Sequence, residues 1–194
     1  MEFSQVIRRR RMVRRYLSNP VDGEVLERIF RLTQRAPSAG GTGGQHLVVI
    51  TEPDLINQVA AAAGEQRYVE LGHRPWISSA PVLVVVCTSE QAYHERYRQP
   101  DKAGSNTGDW PIPYWFVDAG ATLMILLLAA VDEGLGAGLL GAHAFEGLSE
   151  LLGLPPEMIP IGVVTIGTPV GENPSRPLSR IRQTFEEFIH RDGW

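Results

Sequence analysis

Val117–Ala142, VDAGATLMILLLAAVDEGLGAGLLGA, is the stretch whose reading decides the fold. From Ala119 to Val131 only Thr122 is polar, so a helix here is apolar on every side. A helix of that kind sits in the middle of a fold. The run is shorter than the roughly 20 apolar residues a membrane span requires, and Asp118 and Asp132 close it at both ends. It then enters Gly134-Leu-Gly136-Ala-Gly138-Leu-Leu-Gly141, a small-residue segment where backbone can approach a flat ligand or other backbone. The rest of the chain is expected to pack around the helix and to use the glycine segment as one wall of a site.

The composition excludes little but points one way. The chain has 194 residues, enough for one domain with a real core. Its 43% hydrophobic and 21% charged fractions are ordinary for a globular protein, and a net charge of −4 gives no global reason to expect nucleic acid or an anionic membrane. A lone cysteine cannot form an internal disulfide, which favours a reducing compartment. The basic N-terminus is not followed by an apolar run of signal length, so the cytoplasm is the expected location.

Outward from the helix, the N-terminal half alternates helices and strands. Phe3–Arg10 reads as a short amphipathic helix opening into Arg8-Arg-Arg-Arg-Met-Val-Arg-Arg15, six arginines in eight positions. The cluster is open to three readings: a solvated basic face, a nucleic-acid or targeting patch, or a dock for one phosphate. Val13, Tyr16 and Leu17 interrupt it with apolar anchors, which favours a packed geometry. Asp22 is a suitable N-cap for a helix through about Arg35. The loop Ala36-Pro-Ser-Ala-Gly-Gly-Thr-Gly-Gly44 is either simply flexible or built to aim backbone N–H groups at a ligand. A strand over Gln45–Thr51 and a helix from Pro53 to about Ala63 follow. Short helical pieces are expected over 64–80, with Trp76 and Ile77 inward. Val82–Cys87 reads as a central strand buried on both faces, with Cys87 an inert core residue.

Residues 89–116 differ in kind, mixing aromatics with Pro, Gly and charge. They read as a lid over a site or as plain surface packing. Beyond the glycine segment come a short helix at Glu146–Leu152, a buried strand at Ile159–Ile166, an extended tail and a closing helix from about Leu178 to His190. Strands that come singly between helices make this an α+β or α/β domain.

The chemistry is defined by what is missing. There is no HExxH, no Gly-x-Ser-x-Gly and no Walker loop, and the five histidines lack metal-ligand spacing. Gly136-Ala-Gly138-Leu-Leu-Gly141 matches GxGxxG on paper but comes off a helix instead of ending a strand. An anion clamp, two glycine segments and an aromatic segment, with no acid, base or nucleophile in a suitable setting, suggest that a bound cofactor carries the reaction.

An ordered set of short motifs resembles the nitroreductase family of flavin enzymes. They are Arg10-Arg-Met-Val-Arg-Arg-Tyr16, Pro20, Ala36-Pro-Ser-Ala-Gly40, Ala80-Pro81 before an apolar strand, and Asp118 heading the long helix. Glu133-Gly-Leu-Gly136, Leu151-Leu-Gly-Leu-Pro155, the strand ending at Gly167 and Arg176-Pro-Leu178 complete the set, which spans essentially the whole chain.

The resemblance implies one α+β domain over 1–194, with a central, mostly antiparallel sheet flanked by helices and the long buried helix at a dimer interface. Residues 89–116 would be a lid-like insertion and 168–194 a C-terminal arm wrapping the partner of a homodimer. It implies FMN as cofactor and NAD(P)H as electron donor, with hydride passing through flavin N5 to an electron-poor small-molecule acceptor such as a nitroaromatic or quinone. By position, Arg10, Arg11, Met12 and Arg14 would hold the phosphate and polar flavin edge, with Arg176 closing on the phosphate. Pro37, Ser38, Ala39 and Gly41 would reach the flavin from the other subunit, and Leu139, Leu140 and Gly141 would line the ring. Trp110, Tyr114 and Trp115 would offer stacking surfaces to the acceptor. Neither a metal nor a protein nucleophile is implied, and nucleic acid and membrane are not expected partners.

Three departures from the family pattern stand out: Met12 replaces a hydroxyl residue, Gly41 and Gly43 replace Asn-x-Gln, and Gln45 replaces a common aromatic. Loss of an amide bond to the flavin edge is worth about 1 kcal/mol of net binding. Reductive dehalogenation, oxygen-dependent flavin cleavage, and ligand binding without turnover are the alternative functions.

Overall fold

Four antiparallel strands organise the chain in the computed structural model, which describes residues 1–104, 107–142, 145–171 and 183–194. They are β1 (Gln45–Ile50), β2 (Val82–Thr88), β3 (Gly136–Gly141) and β4 (Ile159–Gly167), in the order β1-β2-β4-β3. Each neighbouring pair is antiparallel. Every residue of β2 is buried, and the two-residue period of a strand explains how. Val82, Val84 and Val86 face one side, with α2 (Gly23–Thr33) and α6 (Tyr114–Asp132) packed on them through Leu26, Ile29, Leu123, Leu126 and Leu127. Leu83, Val85 and Cys87 face the other, against Ile56, Val59 and Ala60 of α3 (Pro53–Ala62) and Leu148 of α7 (Leu148–Leu152). The expected double burial is therefore produced by helices on both faces of the sheet. Burial also pushes the Cys87 thiol up to about 11, so near neutral pH it holds its proton and packs as a small apolar group.

Helix α6 starts one turn before the apolar run, at Tyr114, and is 19 residues long. That length and composition would suffice for a membrane span, but 56% of it is buried within the fold, as in a core helix. Asp118 does not head the helix. It lies buried in the second turn and is used by other elements. Nor is α6 buried all round: Val117, Gly120, Met124 and the half-buried Leu128 form a stripe at helical spacing that no described residue covers, flanked by exposed Phe116.

Residues 90–116 are more regular than their composition suggests. Helix α5 (Glu90–Tyr97) is capped by Ser89, whose side chain accepts from the Ala92 N–H. Trp110 then folds back on its own chain, edge-on to Tyr97 at 4.8 Å and Tyr114 at 5.2 Å. At the C-terminus the described helix is a single turn, α8 (Phe185–Phe188), which ends short of His190. Thr184 and Glu187 form a reciprocal capping box that starts it there, and Ile189 is already extended. Leu178 and Arg176 lie outside the described residues.

Candidate functional site

The arginine-rich segment is an added strand. The Val13 N–H donates to the Ala137 carbonyl at 2.8 Å, and Met12 bridges Ala137 in parallel with β3. On the other side, Leu17 N–H donates to Thr168 and Val170 N–H to Arg15, at 2.8 and 3.0 Å. Glycine makes this approach possible. A Cβ on Gly138 would lie 2.4 Å from the Val13 carbonyl oxygen, and one on Gly136 2.8 Å from the Val13 side chain. The small residues of β3 thus admit other backbone rather than a flat ligand. Tyr16 locks the segment, donating to the Val13 carbonyl at 2.7 Å and pairing with Thr165 Oγ1 at 2.6 Å. Burial raises the Tyr16 phenol well above its usual range, so it keeps the proton it donates.

This docking holds Arg11, Arg14 and Arg15 over a cleft of about 910 Å³ that Arg9 and Arg74 also line. Among the described residues, its lining contains no Asp or Glu. Among the described residues none of these five arginines forms an ion pair. Such a pocket concentrates positive potential and favours an anion. Met12, Val13, Trp76, Ile77, Leu139 and Leu140 give it an apolar wall, and Tyr68 and His73 also line it. The Arg14 guanidinium stands 5.3 Å from the Trp76 ring centroid, a cation–π contact. Glu65, buried at the start of α4 (Glu65–Glu70), accepts the Trp76 and Ile77 N–H groups at 2.7 and 2.6 Å and so fixes that wall.

The glycine loop lies elsewhere and is not floppy. Asp118 Oδ2 accepts the Ala39 N–H at 2.7 Å and the Tyr93 hydroxyl at 2.6 Å. Arg96 Nε donates to the Gly40 carbonyl at 2.9 Å, and Tyr97 closes on Gly40, whose φ is +64°. Most of the N–H groups expected to face a ligand are used internally. Gly41 N–H donates to the Ser38 carbonyl and Gly43 N–H to Ser38 Oγ, both at 2.9 Å, and Thr42 N–H to the Ala39 carbonyl at 3.2 Å. The absence of a Cβ lets Gly40, Gly41 and Gly43 adopt the positive φ this closed loop demands.

The cleft therefore unites Arg11, Met12, Arg14, Leu139 and Leu140, while Arg10, half-buried, and Gly141 lie outside its lining. Pro37, Ser38, Ala39 and Gly41 sit beside the N-terminal half of α6, and the cleft opens past Val131 at its other end. At about 1.5 Å per residue, roughly 20 Å of helix separates Asp118 from Val131. Trp110 and Tyr114 belong to the loop end, with Tyr114 exposed, and Trp115 is buried there. Sequence reading missed Arg74, Glu65 and the placement of Trp76 in the cleft wall. Only the pairing of a bulky Trp with a nearby Arg in a segment without secondary structure could have signalled them.

Comparison with known families matches residues 7–168 to the Nitroreductase family. The chain belongs to the nitroreductase family. It is 26% identical over 198 residues to an Archaeoglobus fulgidus protein provisionally named NADH dehydrogenase/NAD(P)H nitroreductase, covering 100% of this chain and 99% of that one. It is 28% identical over 186 residues to the NADPH-flavin oxidoreductase of Vibrio harveyi, covering 95% of this chain and 71% of that one. Among solved structures, B. megaterium NfrA2 superposes with a TM-score of 0.79 at 22% identity, covering 100% of this chain and 75% of that one. The nitroreductase-like fold is thus supported by sequence and by shape.

Two substitutions separate the two ends of this nitroreductase-family fold. Gly138→Ala drives a methyl into the Val13 carbonyl, and overpacking of that kind costs about 1–3 kcal/mol. Its expected result is a lower urea midpoint and faster proteolysis within residues 8–17, with the glycine loop unaffected. Asp118→Leu leaves the Ala39 N–H and Tyr93 hydroxyl without an acceptor, at about 1–3 kcal/mol each. Amide exchange at residues 38–43 should then accelerate, while exchange at Val13 stays slow.

Proposed function

We propose that this chain is an FMN-dependent oxidoreductase that works as a homodimer, taking hydride from NAD(P)H and delivering it to an electron-poor small molecule such as a nitroaromatic or quinone. The observation that carries the reading is the cleft in which five arginines, without an ion pair among the described residues, face an apolar wall with no described carboxylate in its lining. That donor set fits FMN: guanidinium forks suit a phosphate, and Leu139 and Leu140 offer apolar surface to a flat ring. When bound, the flavin supplies the two-electron chemistry at its N5. The residues of the chain bind, orient and polarise. Arg11 is assigned to the phosphate and Arg14 to the N1 edge, where a cation stabilises negative charge. The relatives named for NAD(P)H and for NADPH and flavin support the choice of donor and cofactor.

The dimer reading rests on separation. One chain places the Pro37–Gly41 loop against the N-terminal half of α6 and the Val131 end of the cleft at the other end of that helix. Two copies paired antiparallel through the exposed Val117, Gly120, Met124 and Leu128 stripe would set the Pro37–Gly41 loop of each beside the cleft of the other. A two-fold axis makes both contacts identical. Residues 168–194 would then reach over the partner, giving the exposed Phe185 and Phe188 an apolar surface. Tyr114 and Trp110 would stand at the mouth of the shared site, within reach of the acceptor.

The purified protein is expected to absorb as oxidised flavin and to bleach under anaerobic NADPH or NADH. A colourless protein that fails to take up added FMN overturns the cofactor reading. Met124→Asp places a charge on the exposed stripe and is expected to give monomers in sedimentation velocity, with loss of most bound flavin. A Met124→Asp dimer that keeps its flavin overturns the shared-site geometry.

A further inference from the structure

Arg14 alone does not explain its own placement. Its side chain is long and exposed, no described carboxylate pairs with it, and its described partner is the Trp76 ring. Trp76 in turn lies on a segment without regular structure between α4 and β2. Two contacts keep it from moving. Glu65, 6% exposed and without a cation among the described residues, spends its carboxylate on the N–H groups of Trp76, Ile77 and Ser78 at 2.7, 2.6 and 3.3 Å. Hydrogen bonds to an ionised acceptor are the stronger kind. The ring itself closes on β3: a Cβ on Gly138 would lie 3.0 Å from Trp76 Cζ3. Glu65 fixes the backbone, Gly138 blocks the ring's retreat, and the ring face holds a guanidinium.

We propose that Glu65 and Trp76 are positioning residues that tune the potential of the bound flavin by presenting Arg14 to its N1–C2=O edge. The inference rests on the FMN reading above and goes beyond it, because neither residue need touch the reacting atoms. Negative charge grows on that edge as the flavin accepts electrons, so a nearby fixed cation favours the electron-rich form. A guanidinium free to swing into water is screened and contributes less. The cation–π contact limits that swing.

The test is the midpoint potential of the flavin-loaded protein and its variants, with thermal unfolding as a check on folding. Trp76→Leu is expected to reduce the preference for reduced over oxidised flavin about tenfold, a drop of about 30 mV for a two-electron couple. Trp76→Phe, which keeps an aromatic face, should retain most of the wild-type potential. Glu65→Ala should fall with Trp76→Leu, and Glu65→Gln, which keeps an acceptor oxygen, should recover. The decisive variant is the double one. Trp76→Leu in an Arg14→Ala background should lower the potential no further than Arg14→Ala alone. Additive shifts, or a flavin-loaded Trp76→Leu protein at the wild-type potential, overturn the inference and leave the FMN reading standing. Wild-type protein that takes up no flavin overturns both.

Discussion

The close approach of Val13 to Gly138 is the contact on which the site depends. β3 is the edge strand of the sheet, and an edge presents unpaired N–H and C=O groups that another strand can use. Here the user is the chain's own N-terminal segment, bonded at Ala137 and held at its far end by Thr168 and Val170. A side chain at Gly138 would occupy the space of the Val13 carbonyl, so the absence of one Cβ decides whether a cluster of arginines is a fixed surface or a loose tail. The same glycine also seats the Trp76 ring. One residue without a side chain therefore sets both the basic and the aromatic walls of the cleft.

Much of this was readable in the sequence, for local reasons. The apolar run of α6 and the Val82–Cys87 strand announce themselves because burial on all sides leaves no polar periodicity. The arginine segment was legible as packed because Val13, Tyr16 and Leu17 interrupt it. The glycine segment was read correctly as a place for close approach, but its partner was left open, since residue type does not name what comes near. Long-range partners explain the misses. Glu65 looked like any surface helix residue, and only the fold carries the 76–78 backbone to its carboxylate. Asp118 looked like a helix head, yet it is buried in the second turn because α5 and the glycine loop both need its oxygen.

Helix α6 is also a ruler. Its N-terminal half binds the glycine loop through Asp118 and its C-terminal end delivers the chain into β3 and the cleft. Helical rise sets roughly 20 Å between Asp118 and Val131, so the loop and the Val131 end of the cleft are held apart within one chain. The uncovered stripe of Val117, Gly120 and Met124 runs along the same ruler, and an isologous pairing along it exchanges its two ends. Separation and exposure, independent features of one helix, thus favour the same assembly.

The arginines add a further coupling between folding and binding. Several like charges around one cleft, with no carboxylate among its lining residues, repel one another, and β3 holds three of them in place through backbone bonds that do not depend on charge. An anion that enters relieves this repulsion and binds only the folded chain, so it stabilises that chain by mass action. Replacing one arginine relieves part of the repulsion while weakening anion binding. Repulsion among these side chains and affinity for an anion are accordingly opposed at these positions.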